Sequence, residues 1–442
     1  MARFVAERGW ELDVITFDLN CIESPDSTML ADLPAGTRVY GLGTPTVPIA
    51  RLIHLVWTML RRMRSRVSNH AEGATAASMP LDTPMRPDSI ARSEIRWSLT
   101  EPRTYRRAYN AWMAYTELEQ WARQASALAR PIVAPRVHDA IISSGPPHAA
   151  HEAARRISRY SGIPYVIDLR DVWSLVERCQ EPMASPLLLH LARRYERRVV
   201  DEAALIVANT DVVRSAMMQT YPYARERILT VTNGFDDDPL PAMRHDGRFT
   251  IAHAGTIYLG RDPTCLFQAA RQVVDELSLS PNQFAIEFIG ANDRGISLTE
   301  MADAEGVAPF VHVGAPRPRA EALEFLSRAT MLVILPQDWE MSIPAKLFEY
   351  VRFEAWLLAL AERNSATELL LRGTDADVVS PRDPSAIAAV LRRRYEQHAA
   401  GMRAQRIARD VRLSRRFQTQ VLLDALERCV RPRRDSMARV VA

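Results

Sequence analysis

Lysine is almost absent from this chain. Of the 56 lysine and arginine residues, Lys346 is the only lysine, and every other basic side chain is arginine. A lysine ammonium is a compact point charge with three donors, whereas an arginine guanidinium is a broad, flat fork. The composition therefore indicates either that position 346 needs a point charge or that one codon survived a strong bias by chance.

Cysteine is scarce too, and its spacing argues against two kinds of stabilising site. Cys21, Cys179, Cys265 and Cys429 lie far apart, with no CxxC pair and no Cys/His cluster. This pattern disfavours a disulfide framework and a structural zinc site. It is typical of a reducing compartment, so we expect a cytoplasmic location.

Long apolar runs and an excess of one charge are also missing. No apolar run reaches the ~20 residues that a membrane-spanning helix needs, and the N-terminus shows no signal-peptide core. The formal net charge is +3, from 56 basic and 53 acidic residues. That balance does not predict a nucleic-acid partner. A chain of 442 residues with 47% hydrophobic side chains is expected to form two globular domains.

Strand and helix patterns alternate along most of the chain. In the first half we predict strands at 11–17, 37–41, 139–143, 163–168, 204–208 and 228–231. In the second half we predict strands at 249–254, 284–290, 310–314, 331–335 and 357–361. Alternation of this kind predicts an α/β fold with doubly wound parallel sheets, whose ligands bind at the carboxyl ends of the strands.

Two domains and a C-terminal helix follow from this pattern. We expect a Rossmann-like domain at 1–240, a second at 241–415, and a C-terminal helix with a basic tail at 416–442 that packs back on the first domain. The Ser/Pro/Ala-rich segment at about 67–93 predicts a mobile loop. The apolar-then-basic segment 51–66 fits either an ordinary helix with a basic end or a helix on an acidic membrane surface. A strand that normally precedes the first helix is expected to be missing from the sequence.

The stretch 342–350 surrounds the lone lysine. Ser342 can cap a helix, and Pro344 suits its first turn. Lys346 then lies where the helix dipole repels a cation unless an anion binds there as well. Glu349 follows one turn later on the same face. The pattern suits a nucleoside diphosphate, with phosphates at Lys346 and ribose hydroxyls at Glu349. The alternative is a surface Lys346–Glu349 ion pair.

Five motifs in order carry a resemblance to a known family. They are 144–148 (SGPPH) with His151, 168–173 (DLRDVW), 232–236 (TNGFD), 253–258 (HAGTIY) with 260–263 (GRDP), and 343–350 (IPAKLFEY). The chain thereby resembles the retaining nucleotide-sugar glycosyltransferases of family 4, of the bacterial surface-polysaccharide type. The resemblance implies the GT-B fold, in which two Rossmann-like domains face each other across a cleft.

The resemblance also implies an activity. A sugar would pass from a nucleotide-diphosphate sugar to a glycan or lipid-linked acceptor, with retention of anomeric configuration. The product would belong to cell-surface polysaccharide or glycoconjugate synthesis. The enzyme would work in the cytoplasm, with peripheral contact at the inner face of the membrane, and would need no metal or other cofactor.

Roles for individual residues are implied in the same way. Lys346 and Arg261 would hold the donor pyrophosphate and neutralise the leaving group, and His148 would meet the transferred sugar. The donor would also contact Glu349, Gly255, Thr256, Ser342, Ile343 and Pro344. The acceptor or sugar would contact Arg170, Asp171 and His151.

Several of these residues also have a purely structural interpretation. His148 could instead cap its helix. Arg170 and Asp171 could form a structural pair. His253 is interpreted as a core histidine, because it lies on an apolar strand.

The sequence departs from the family pattern in ways that leave other functions open. Met341 stands where many relatives carry a glutamate, and the segment 352–356 replaces their Gly/Pro turn. One alternative is a catalytically impaired relative that binds a nucleotide sugar or a partner protein. Another is an epimerase or phosphorylase of the same architecture. A pyridoxal-dependent phosphorylase would have to use Lys346 as its Schiff-base lysine.

Overall fold

A computed structural model describes residues 2–21, 33–43, 89–98, 101–135, 137–176, 178–257, 261–291, 297–336, 340–408 and 411–440. The chain divides into two compact units, Ala2–Val207 with Ala425–Ala442, and Ala208–Asp424. The segment 51–66 and most of the loop predicted at 67–93 lie outside the described residues. No helix in the described ranges is long and apolar enough to cross a membrane.

Within the described ranges, residues 2–207 of the first unit contain the N-terminal strands and four helices. Its strands are β1 Asp13–Phe17, β2 Arg38–Leu42, β3 Ser89–Ala91, β4 Ile141–Gly145, β5 Tyr165–Leu169, β6 Arg178–Gln180 and β7 Leu205–Ala208, whose last residue belongs to the second unit. Its helices are α1 Ala2–Ala6, α2 Pro102–Ala129, α3 Ala149–Ser161 and α4 Pro186–Glu202. β1 pairs with β2 and β4 with β5, both in parallel, and β7 extends the sheet in the order β4-β5-β7.

The second unit contains one larger sheet of six strands, β9 Phe249–Ala254, β10 Phe284–Ile289, β11 Val311–Gly314, β12 Met331–Ile334, β13 Trp356–Leu360 and β14 Asp377–Val379. The short strand β8 Ile228–Thr230 lies outside this sheet. Its helices are α5 Asp211–Thr220, α6 Thr264–Glu276, α7 Leu298–Ala304, α8 Arg319–Leu326, α9 Ala345–Tyr350, α10 Ala366–Leu371 and α11 Pro384–Ala399, and the final helix α12 spans Arg415–Val440.

Six parallel strands of the second unit lie in the order β11-β10-β9-β12-β13-β14. This is the Rossmann order, in which the chain first winds outward from β9 and then returns to continue on its other side. The direction reverses between β9 and β12. In open parallel sheets, ligands bind outside the carboxyl ends of the strands at this reversal.

Both faces of this sheet are buried. Met331 and Val333 of β12 pack into one hydrophobic cluster, while Leu332 and Ile334 pack into a second. Successive strand residues point to opposite faces, so two clusters mean two covered faces. Helices α6 and α11 contribute to the first cluster, and α8 and α9 to the second. The loops at the strand ends are therefore the natural place for polar chemistry.

The predicted fold class is confirmed, with boundary corrections. β4 begins two residues later than predicted and continues to Gly145, because its serines find polar partners on β5: Ser143 Oγ donates to Val166 O over 3.1 Å, and Ser144 Oγ to Asp168 Oδ2 over 2.9 Å. The last helix begins at Arg415, one residue before the predicted start at 416. On α2, Tyr115 and Trp121 are buried, whereas Trp112 is 40% exposed.

Candidate active site

A tight turn follows β9 at the point where the strand order reverses. Gly255 has φ +131, a conformation that side-chain-bearing residues rarely adopt. Its N–H donates to Ile289 O over 2.7 Å, which ties the turn to the end of β10. A Cβ on Gly290 would approach Gly255 O more closely than the 3.0 Å limit for real Cβ atoms. Glycine at 290 therefore lets the two backbone segments pack together, and glycine at 255 permits the conformation of the turn.

The Lys346 ammonium lies directly against this turn. Lys346 is the second residue of α9 and is partly buried. A Cβ added to Gly255 would come closer to Lys346 Nζ than the 3.0 Å limit. The position of the charge therefore depends on the missing side chain at residue 255.

His253 contacts the same ammonium from β9. Its Nδ1 lies 2.9 Å from the carbonyl oxygen of Val333, and its Nε2 lies 3.2 Å from Lys346 Nζ. A carbonyl only accepts, so Nδ1 carries the proton and Nε2 presents a lone pair to the lysine. The residue is 1% exposed, and burial, with Lys346 next, holds its pKa well below the ordinary value. The interpretation of His253 as a core histidine is confirmed, but its contact with Lys346 was missed.

Burial and a neighbouring cation destabilise the charged form of Lys346. Burial, followed by the positive charge of Arg261, lowers the pKa of Lys346 to about 7. Among the described residues, no carboxylate offsets this shift. Arg261 Nη1 in turn donates to Thr256 O over 3.3 Å, on the same turn. Two cations thus converge on residues 255 and 256, which is an arrangement that an anion would stabilise.

Glu349 pairs with an arginine instead of the lysine. Arg319 Nη2 and Nε lie 2.7 Å and 3.2 Å from Glu349 Oε1. The carboxylate next to it raises the pKa of Arg319. The alternative of a surface Lys346–Glu349 pair is wrong, because Lys346 turns towards His253 and Glu349 towards Arg319. Glu349 remains 29% exposed along its side chain.

The predicted cap of α9 is also wrong. Pro344 occupies the N-cap position, and no side chain caps the helix. Ser342 Oγ is buried and, within the described ranges, has no hydrogen-bond partner. α9 has only six residues, too few peptide units for a strong dipole. The charge of this site therefore comes from side chains rather than from the helix end.

A second polar cluster lies in the first unit. The His148 ring stacks on Trp173, with centroids 4.6 Å apart and planes 9° apart. His148 holds the N-cap position of α3 but makes no side-chain cap bond, so the capping alternative is wrong. Because Ser143 Oγ donates to Val166 O, His151 Nδ1 must donate to Ser143 Oγ, at 2.9 Å.

Both imidazoles in this cluster stay neutral. Burial lowers the pKa of His148 to about 4 and that of His151 well below its ordinary value. A Cβ on Gly145 would lie 2.6 Å from His151 Nε2 and 3.2 Å from His148 Nδ1. The end of β4 is thus packed against two uncharged rings that can hydrogen-bond without repelling a cation.

Arg170 and Asp171 follow β5 in the same unit. Arg170 Nη1 lies 3.7 Å from Asp168 Oδ1. Arg170 thus forms an ion pair with Asp168, a partner that the sequence analysis did not predict. Asp168 is 2% exposed, and burial raises its pKa. Burial also raises the pKa of Asp171, against the nearby charge of Arg170.

Known structures share this fold at low sequence identity. No protein-family model and no curated protein matches the chain. The α,α-trehalose 6-phosphate synthase of Burkholderia multivorans aligns over 98% of both chains, with 13% identity and a TM-score of 0.53. The sucrose-phosphate synthase of Thermosynechococcus elongatus aligns over 98% of both chains, with 10% identity and a TM-score of 0.50. A glycosyltransferase from Rickettsia africae covers 76% of this chain and 84% of its own, with 10% identity and a TM-score of 0.50. These likenesses confirm the α/β fold with Rossmann-like domains of the GT-B class.

The titration of Lys346 can be measured directly, because the chain has one lysine. In protein labelled with [ε-¹³C]lysine, we expect a single side-chain signal with a titration midpoint near 7, since burial and Arg261 favour the neutral amine. The exposed Arg328→Lys variant provides a control signal, which should titrate at about 10.4. A midpoint for Lys346 close to that of the control would contradict the described environment.

Proposed function

We propose that this chain transfers a sugar from a nucleotide-diphosphate sugar to an acceptor. One observation carries the proposal: a partly buried ammonium and a guanidinium converge on the Gly255–Thr256 turn at the strand reversal. A buried cation with a lowered pKa needs a negative partner. A diphosphate supplies that charge on two phosphate groups, which the compact ammonium and the planar guanidinium can bind together.

The proposed chemistry needs cations at the leaving group. When the bond between sugar and diphosphate breaks, negative charge grows on the departing phosphate oxygen. Fixed positive groups at that oxygen stabilise the transition state more than the ground state. We assign this neutralisation to Lys346 and Arg261, without a metal ion. The departing phosphate then accepts the proton of the acceptor hydroxyl, so no strong base is needed, and the new bond forms on the same face with retention.

Other residues of the second unit are assigned to the rest of the donor. Glu349 would accept hydrogen bonds from the ribose hydroxyls, while Arg319 holds its Oε1. The buried Ser342 hydroxyl is suited to hydrogen-bond the donor. The backbone at Ile343, Pro344 and Thr256 would line the same site.

The first unit is assigned to the sugar and acceptor. His148 is neutral, so it can hydrogen-bond a sugar hydroxyl without a charge. His151 is neutral too, but it is fully buried and donates to Ser143 Oγ, so we assign it to supporting the end of β4 beside His148. The Trp173 ring fixes the plane of His148. Arg170 and Asp171, after β5, would contact the acceptor. Support for membership of family 4, for a glycan or lipid-linked acceptor, and for a role in surface polysaccharide synthesis at the membrane comes from the motif resemblance.

Replacing the lone ammonium tests the proposal most simply. For Lys346→Met, which keeps the length of the side chain but removes its charge, we expect kcat/KM to fall by about 10²–10³-fold, as when one transition-state donor is lost. Turnover of UDP-, GDP- and ADP-sugars, with and without acceptor, provides the measurement. Arg328→Met removes an exposed cation and should leave turnover unchanged. Equal turnover in wild type and Lys346→Met would contradict the proposal.

The dependence on Gly255 can be separated from backbone strain. Gly255 and Gly373 both have positive φ, but only at Gly255 would a Cβ collide with Lys346, whereas Gly373 has no heavy atom within 4 Å. Alanine at either site should destabilise the fold by roughly 1 kcal/mol through strain. Only Gly255→Ala should also lower donor turnover, by at least about tenfold, because it displaces the ammonium. Denaturant unfolding and turnover assays would be compared, and equal turnover losses in both variants would refute the contact.

A further inference from the structure

We infer that His253 is a positioning residue for Lys346, holding the ammonium against the Gly255 turn through a neutral imidazole nitrogen. The inference rests on the proposed function for its biological meaning, since the ammonium is the group assigned to the diphosphate. His253 would act through Lys346 rather than on the substrate. The evidence is the pair of hydrogen bonds that the two ring nitrogens of His253 make.

The tautomer of His253 is fixed by the neighbouring strand. Val333 O lies on β12 and accepts from Nδ1 over 2.9 Å. The ring therefore cannot place a hydrogen on Nε2 without becoming charged. The lone pair of Nε2 faces Lys346 Nζ at 3.2 Å, and the ammonium is the donor. One strand pairing thus determines where a hydrogen of the ammonium points.

The surroundings of His253 oppose its protonation. The charged groups that act on it are Lys346 and Arg261, both cations, and both lower its pKa together with burial. Tyr350 and Phe288 complete its surroundings, with ring centroids 6.4 Å and 6.0 Å from the imidazole. The Tyr350 hydroxyl accepts from Ala254 N over 2.8 Å, and burial raises its pKa, so it stays neutral. His253 is consequently an acceptor for Lys346 across the physiological range.

Holding the ammonium in advance should strengthen anion binding. A lysine side chain carries roughly 2 kcal/mol of rotamer entropy. If Lys346 is ordered when the chain folds, that entropy is not lost again when the anion binds. One hydrogen of the ammonium is used by His253, and two remain for phosphate oxygens. Without the acceptor, Lys346 would be free to leave the Gly255 turn.

Two substitutions separate positioning from a structural role. Asparagine places an amide nitrogen near the Nδ1 position and can still donate to Val333 O, but it has no atom at the Nε2 position. Glutamine reaches the Nε2 position with its amide oxygen and can still accept from Lys346. A positioning role predicts that His253→Gln retains function and His253→Asn loses it. A purely structural role predicts the reverse order.

The test measures the cation itself rather than sugar transfer. Calorimetry with inorganic pyrophosphate should show an affinity about tenfold lower for His253→Asn, and within about threefold of wild type for His253→Gln. ¹³C relaxation of the single lysine side chain should report an ordered Lys346 in wild type and His253→Gln, and a mobile one in His253→Asn. His312→Asn, at an exposed position of β11, is the matched control and should match wild type in both readouts.

The outcomes separate this inference from the proposed function. The expected pattern in a protein that transfers no sugar would support His253 as a positioning residue and refute only the transferase. Full affinity and an ordered Lys346 in His253→Asn would overturn the inference, even if sugar transfer is found. If His253→Asn does not fold, a folded His253→Gln protein with lost affinity and a mobile Lys346 would also overturn it.

Discussion

A partly buried positive charge is the constraint on which the rest of this account depends. Lys346 is placed against a turn whose glycine leaves room for the ammonium and for little else. Its pKa is lowered to about 7 because burial and the charge of Arg261 destabilise the protonated form. Such an arrangement is destabilising for folding by itself. A bound anion, as proposed, would offset this cost, and the groups that meet it are already oriented.

The fold explains why this charge lies where it does. Strands β9 and β12 are neighbours at the reversal of the Rossmann order, so the turn after β9 and the segment after β12 emerge side by side. Both faces of the sheet are closed by hydrophobic clusters, which leaves the strand ends for polar groups. The first unit carries two neutral rings at the end of β4 instead, a partly buried His148 and a fully buried His151.

Local sequence patterns predicted the elements well and the contacts poorly. Strands such as Phe249–Ala254 were found because apolar runs buried on both faces stand out from their surroundings. Lys346 was singled out because it is the only lysine in the sequence. The His253–Lys346 contact was missed because it depends on the pairing of β9 with β12, which no local pattern reveals. The Arg319–Glu349 pair was missed because it joins two helices whose contact no local pattern reveals. The predicted Ser342 cap was wrong because capping rules consider only the local sequence and not burial in the folded chain.

Chemical protection of the lone lysine tests the central claim most directly. An amine-reactive reagent can modify only two kinds of amine in this chain, Lys346 and the α-amino group, and mass spectrometry distinguishes the two products. We expect saturating UDP or pyrophosphate to slow modification of Lys346 at least about tenfold, because the bound anion covers the amine and raises its pKa. The α-amino group should react as before. Equal modification rates of Lys346 with and without these anions would contradict the claim that this ammonium binds a diphosphate.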